Sequence, residues 1–325
     1  MQKLIRFAFI CLLATTAFTQ LTACSSAPKP EKTKKTIVLI SNTGTNFWKA
    51  VQKGSEKADA ELADVDVIFK TSFGGTVKEQ ERYINESLVK DEADAIAISP
   101  LDPTGMKDLL NRTAKKVLLV TEDSDAPATD RAVYLGADNL AAGRQAGELL
   151  KKALPKGGKV MVFAGKSQEN SQDRLAGLRE AVAGSKIEIL DLMLDDNDFI
   201  KAEENASEAL KKNPDLAGMV GLWSYNGPAI LRALASAQKT DQVKIVCFDD
   251  ENETLEAIKN GKIFGTVAQQ PFEYGYQTVQ LAAKILKGDK SAIPADKRVL
   301  IPTITVQHDN LQDYKTKMEH TLASK

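Results

Sequence analysis

From Thr36 onward the sequence alternates short β-branched runs with longer stretches of helical period, and Gly, Pro, Asn or Asp sits at the joints. The predicted strands fall at 36–41, 65–70, 95–99, 117–121 and 133–136, then at 159–164, 187–193, 218–222, 243–248 and 264–268. Between them run helical patterns such as Phe47, Val51, Gly54, Ala58 and Leu62, whose spacing of three or four residues makes one apolar face. Strict strand–helix alternation requires parallel sheets covered on both faces. So many strands exceed one sheet of this kind, and two similar halves meet at Asp138-Asn139. The expected fold is therefore α/β, with two doubly wound parallel-sheet lobes.

In open sheets of this class ligands sit beyond the carboxyl ends of the strands, so the loops leaving each strand are the place to look. Those loops, at 42–48, 72–75, 100–103, 122–127, 167–173, 195–198, 223–226, 249–252 and 269–272, gather aromatics, carboxylates, amides and an arginine. Such side chains suit a small polyhydroxylated molecule, whose hydroxyls both donate and accept and whose C–H face is effectively apolar. Phe47 and Trp48 directly follow the first strand; one of the two rings is expected to be core, which leaves Trp48 as the better stacking candidate. Asp249 follows Val246-Cys247-Phe248 at a strand end, as a ligand carboxylate or as a solvated turn residue. Arg174 reads as a ligand contact or a surface ion pair. Asn226, in Trp223-Ser224-Tyr225-Asn226-Gly227-Pro228, reads as a helix cap, a ligand contact, or both.

The N-terminus has the form of an export signal. Lys3 and Arg6 precede an apolar run from Phe7 to Phe18, too short for a membrane span, and small residues lead to Leu21-Thr22-Ala23-Cys24. That end resembles a bacterial lipoprotein signal, which implies removal of residues 1–23 and lipid attachment at Cys24. Residues 24–35 are rich in Pro, Lys and Ser and read as a solvated tether. Of the 3 cysteines, Cys11 leaves with the signal and Cys24 carries lipid, so Cys247 is expected as a buried, unpaired strand residue. A formal net charge of -1 provides no field to attract nucleic acid.

Five segments in register carry a resemblance. Phe47-Trp48, Asp138-Asn139, the 170–177 segment with Arg174, Cys247-Phe248-Asp249, and Ala268-Gln269-Gln270-Pro271 occur in the order and spacing of periplasmic binding proteins of the ribose-binding type. The resemblance spans nearly all of 36–306. It implies a three-strand hinge, with chain crossings near 136–138, 269–271 and 300–303. One lobe would comprise 36–137 with 270–301, the other 138–269 with 302–325. It implies a ligand set of Asn46, Phe47, Trp48, Asp123 or its neighbour Asp125, Gln172, Arg174, Tyr225, Asn226, Asp249 and Gln269. Four positions depart from the ribose pattern: Ser124, Gln172, Asn197 and Ser224. The implied ligand is then a related sugar or polyol, with Tyr225 or Trp223 replacing a missing ring.

The resemblance further implies a monomeric, lipid-anchored protein of the periplasm or cell surface. Its partners would be a sugar and a membrane ABC permease, or alternatively a chemoreceptor or histidine kinase to which it presents the sugar. No enzyme is expected: both histidines, His308 and His320, lie near the C-terminus, and no phosphate loop, nucleophile motif or metal-ligand cluster is present. No cofactor and no calcium site are expected either. A sugar-sensing repressor would need a DNA-binding helix pair before the first strand, where the signal and tether stand.

Overall fold

The computed structural model describes residues 32–323. The expected export signal, Cys24 and most of the expected tether lie outside the described residues. From Lys34 onward the described residues form one unit, built on two six-stranded sheets.

The first sheet is made of β1 (Lys35–Ile40), β2 (Val65–Lys70), β3 (Ala95–Ile98), β4 (Leu118–Glu122), β5 (Val133–Gly136) and, from far along the chain, β11 (Arg298–Leu300). Its order is β11-β5-β4-β3-β1-β2 and every pairing is parallel. The second sheet contains β6 (Gly158–Ala164), β7 (Ile187–Leu194), β8 (Leu216–Gly221), β9 (Lys244–Phe248), β10 (Gly265–Ala268) and β12 (Ile304–Val306), in the order β12-β10-β9-β8-β6-β7. Both sheets reverse direction of growth beside their first strand, so each has a switch point where loops part.

The predicted strands are found to within two residues at either end, but β11 and β12 were not predicted. Each is three residues long, and Pro302 between them removes a backbone donor. β12 pairs antiparallel with β10, so the second sheet is parallel except at this edge. The chain passes between the sheets after β5, after β10, and between β11 and β12.

Each lobe locks two helices together with glycine. In the first lobe α1 (Asn46–Glu61) packs on α9 (Pro271–Leu286). A Cβ at Gly54 would stand 1.9 Å from the Phe272 carbonyl oxygen, and one at Gly275 equally close to that of Val51. In the second lobe α4 (Asn139–Ala153) packs on α5 (Glu169–Val182). There a Cβ at Gly143 would lie 2.1 Å from the carbonyl oxygen of Arg174 itself. These contacts fix helix starts, and the helix starts carry the site. Cys247 is fully buried without a disulfide, and burial pushes its thiol up to about 12, so it acts as a small core side chain.

Candidate functional site

The loops leaving β1, β4, β6, β8, β9 and β10 converge on one cavity between the sheets. It holds about 340 Å³ of empty space, of which about 30 Å³ admits a water-sized sphere, so its walls stand close around a small volume. Phe47, Trp48, Asp123, Arg174, Tyr225, Asp249 and Gln269 all line it.

Two carboxylates face it in matching ways, one per lobe. Asp123 directly follows β4 and Asp249 directly follows β9, and both take left-handed backbone, at φ 62° and 66°. Asp tolerates this region better than most residues, at a cost of about 1 kcal/mol. The turn aims each side chain across the end of its sheet, and each is held by a relay from a ring. Trp48 Nε1 donates to Asn42 Oδ1 (2.7 Å), and Asn42 Nδ2 donates to Asp123 Oδ2 (3.3 Å), which also accepts from Ser99 Oγ (2.9 Å). Tyr274 OH donates to Gln269 Oε1 (3.0 Å), and Gln269 Nε2 donates to Asp249 Oδ1 (2.8 Å). Neutral donors thus orient both carboxylates without consuming all their acceptor capacity.

Arg174 is the counter-charge. It is 1 % exposed, donates from Nε to Asn139 Oδ1 (2.9 Å) and from Nη1 to the Leu222 carbonyl (2.7 Å), and lies over the Phe248 ring at 4.5 Å. Its Nη2 has no hydrogen-bond partner in the protein. Burial pushes the Asp123 carboxyl up and that of Asp249 up to about 7, opposed in both by the charge on Arg174 and by hydrogen bonds. Arg174 makes no ion pair with a described carboxylate, so its spare donor and the two acid acceptors face a gap. A hydroxyl that accepts from one and donates to another fills such a gap.

Aromatic rings supply the apolar walls. Both Phe47 and Trp48 line the cavity, edge to face at 5.3 Å, so neither ring is purely core. Opposite them Trp223 donates from Nε1 to Ser171 Oγ (2.8 Å). Tyr225 donates to Asp195 Oδ1 (2.6 Å) and packs behind against Phe199 at 4.6 Å. Burial pushes the Asp195 carboxyl up to about 6. Gly165 makes room for this pair, since a Cβ there would lie 2.4 Å from Trp223 and 2.6 Å from the Tyr225 hydroxyl. Gly165→Ala is therefore expected to displace both rings and weaken ligand affinity at least about tenfold, with thermal stability reduced by about 1–3 kcal/mol. Calorimetric titration beside a thermal melt measures the two.

Four expected residues stand elsewhere. Asn46 points away from the cavity and donates to Glu251 Oε2 (2.7 Å). Asp125 is held by Arg131, Nη2 to Oδ2 at 2.7 Å, and by Thr121. Gln172 is turned outward to Ser167. Asn226 accepts from the Trp223 amide (3.0 Å) and donates to Asp195 (3.0 Å), so it shapes its loop without lining the cavity. Conversely Asn42, Thr43, Thr45, Asn170, Trp223 and Ser224 line it. Asn170 was recoverable from helix geometry: it lies one turn before Arg174 and shares its face, whereas Gln172, two residues away, cannot.

Away from the chain crossings, side-chain hydrogen bonds tie the lobes together around the cavity: Gln168 Nε2 to the Pro100 carbonyl (2.9 Å), Asn197 Nδ2 to the Gly75 carbonyl (3.2 Å), and Asn46 to Glu251. The lobes are therefore closed on one another.

Comparison with known proteins agrees with this architecture. The ribose import binding protein of Salmonella typhimurium is 28% identical over 273 residues, covering 82% of this chain and 91% of that one. An ABC transporter solute-binding protein from Burkholderia graminis, solved in complex with D-arabinose, superposes with a TM-score of 0.80 at 25% identity, covering 88% of this chain and 99% of that one. One from Agrobacterium vitis, bound with α-D-tagatopyranose, gives a TM-score of 0.81 at 26% identity, with 88% and 98% covered. The family profile described as "Periplasmic binding protein domain" matches residues 37–290. On its fold, its interlobe site and this match, the chain belongs to the periplasmic binding protein domain family, as a binding protein of the ribose type rather than an enzyme.

Proposed function

We propose that the chain is the solute-capturing component of an ABC importer, and that it binds a neutral monosaccharide between its lobes. The observation that carries this reading is the unpartnered Arg174 Nη2 facing Asp123 and Asp249 inside a cavity walled by Phe47, Trp48 and Trp223. Relatives named for ribose or solved with D-arabinose and α-D-tagatopyranose support a monosaccharide, as does the small cavity. The closed arrangement forms because a sugar contacts acids on both lobes at once, so binding shifts the population from open to closed.

Small-angle scattering with a panel of monosaccharides tests the reading: the cognate sugar is expected to reduce the radius of gyration. At a hundred times its dissociation constant it adds about 2.7 kcal/mol, raising the melting temperature by about 5–10 °C. No compaction and no thermal shift with any monosaccharide would refute it.

Family membership places the chain outside the cytoplasm. We infer that Cys24 carries the lipid that holds it at the membrane, on the strength of the Leu21-Thr22-Ala23-Cys24 end to its signal. Cys24→Ala is expected to move the protein from the membrane pellet to the soluble extracytoplasmic fraction, and retention in the pellet would count against the anchor.

A further inference from the structure

A second cavity of about 400 Å³ lies beside the hinge segment at Gln269–Pro271, far roomier than the sugar cleft. It is built from both lobes. Phe47 and Ala50 of α1 and Phe272 of α9 form its first-lobe wall; Ile304 of β12 with Tyr314 and Met318 of the C-terminal helix, α10 (Leu311–Ala323), forms its second-lobe wall. Phe47 and Gln269 line both cavities, so they are the partition between them.

The charge of this space is lopsided. Asp250, Glu251 and Glu273 face it against a single ammonium, Lys317, which already has an interaction partner. Each carboxylate takes its described hydrogen bond from a neutral donor: Asp250 from Tyr314 OH (2.7 Å), Glu251 from Asn46 Nδ2 (2.7 Å), and Glu273 from Gln277 Nε2 (2.8 Å). Burial pushes the carboxyls of Asp250 and Glu251 upward, opposed at Glu251 by the Asn46 hydrogen bond and by the charge on Lys49, which does not line the cavity. Aromatic and aliphatic walls around carboxylates hydrogen-bonded by neutral donors complement an apolar body bearing one positive charge.

We propose that this hinge-side cavity is a second small-molecule site, taking an amphipathic organic cation whose binding favours the closed lobes. Its walls are shared between the lobes, and the Asn46–Glu251 hydrogen bond crosses between lobes at its rim. A ligand there stabilises the closed form, and by linkage it and the sugar must strengthen each other equally. Asn46, set among the ligand residues by its place in the sequence, thus belongs to a different site.

Calorimetric titration of the full chain with phenethylammonium, 2-phenylethanol and 3-phenylpropionate tests this directly. The ammonium is expected to bind at least about tenfold tighter than the alcohol, and the anion not at all. Scattering should show compaction with the ammonium alone, which needs no knowledge of the sugar. With a cognate sugar saturating the cleft, the ammonium should bind about fivefold tighter or more. An E251Q/E273Q double variant, which keeps an acceptor for Asn46, is expected to lose the preference for the ammonium. A50F, which fills the cavity without removing charge, is expected to abolish binding. Equal binding of alcohol and ammonium, no binding of the ammonium, or undiminished binding in either variant overturns the proposal. A sugar cleft that fails every monosaccharide, with ammonium binding intact, overturns only the function proposed above.

Discussion

Replacing Arg174 by methionine is expected to weaken sugar binding by about a hundredfold or more, because the guanidinium performs two tasks that methionine cannot. Its spare Nη2 donor faces the cavity, and its charge opposes the upward push that burial exerts on Asp123 and Asp249. Without it both carboxyls rise further, and near neutral pH a larger fraction is protonated. A protonated acid offers fewer acceptors to a hydroxyl. Methionine retains much of the apolar stem over Phe248, so the packing loss is contained.

Arg174→Lys is expected to recover little, since one ammonium cannot reach Asn139 and the Leu222 carbonyl while also presenting a donor to the ligand. Titration of both variants with the cognate sugar measures this, with melts confirming the fold. Binding of the methionine variant within threefold of the parent would remove Arg174 from the site.

The fold was largely legible because parallel strands buried on both faces read as unbroken β-branched runs. Val38 through Ile40 and Ile96 through Ile98 are near fully buried. What escaped was short or held by distant partners. β11 and β12 each have three residues, and their pairing with β5 and β10 is a tertiary fact that local sequence does not encode. Position at a strand end left Asp249 open between a ligand carboxylate and a solvated turn residue, and Asp123 came only with the family resemblance; the structure sets both on the cavity. Asp125 was not separable from Asp123, because its engagement by Arg131 depends on a loop that folds back over six residues. Asn226 is not the cap that its sequence suggested: it is the first residue of its helix, Tyr225 holds the cap position, and its side chain bonds back to the Trp223 amide and to Asp195. That placement and the outward turn of Gln172 follow from which way a helix start faces, and that is set by glycine contacts such as Gly143 on Arg174.

One buried acid lies beside the site without joining it. Glu122 is the last residue of β4 and, two residues on from Val120, it takes the same sheet face, toward the core formed with α9. It is 1 % exposed, its Oε1 has no hydrogen-bond partner, and burial with the neighbouring Asp123 charge pushes its carboxyl up to about 8. It therefore stays largely neutral near pH 7, beside Asp123, which faces the ligand.

This has a cost in stability that Glu122→Gln is expected to remove. Between about pH 4.5 and 8 the native protein holds a proton on Glu122 that the unfolded chain releases, so stability falls as pH rises through that window and levels off above it. Glutamine is isosteric with the protonated acid and does not titrate. The variant should match the parent near pH 4.5 and exceed it by about 2–4 kcal/mol near pH 7.5. Asp249 and Asp195, also raised, add slopes of the same sign in both proteins, so the difference between the two denaturation curves isolates Glu122. Urea unfolding at half-unit intervals from pH 4.5 to 9 gives that difference. A variant less stable than the parent at pH 7.5 would mean that Glu122 is ionised in the native state, and a difference independent of pH would mean that its substitution acts through packing alone.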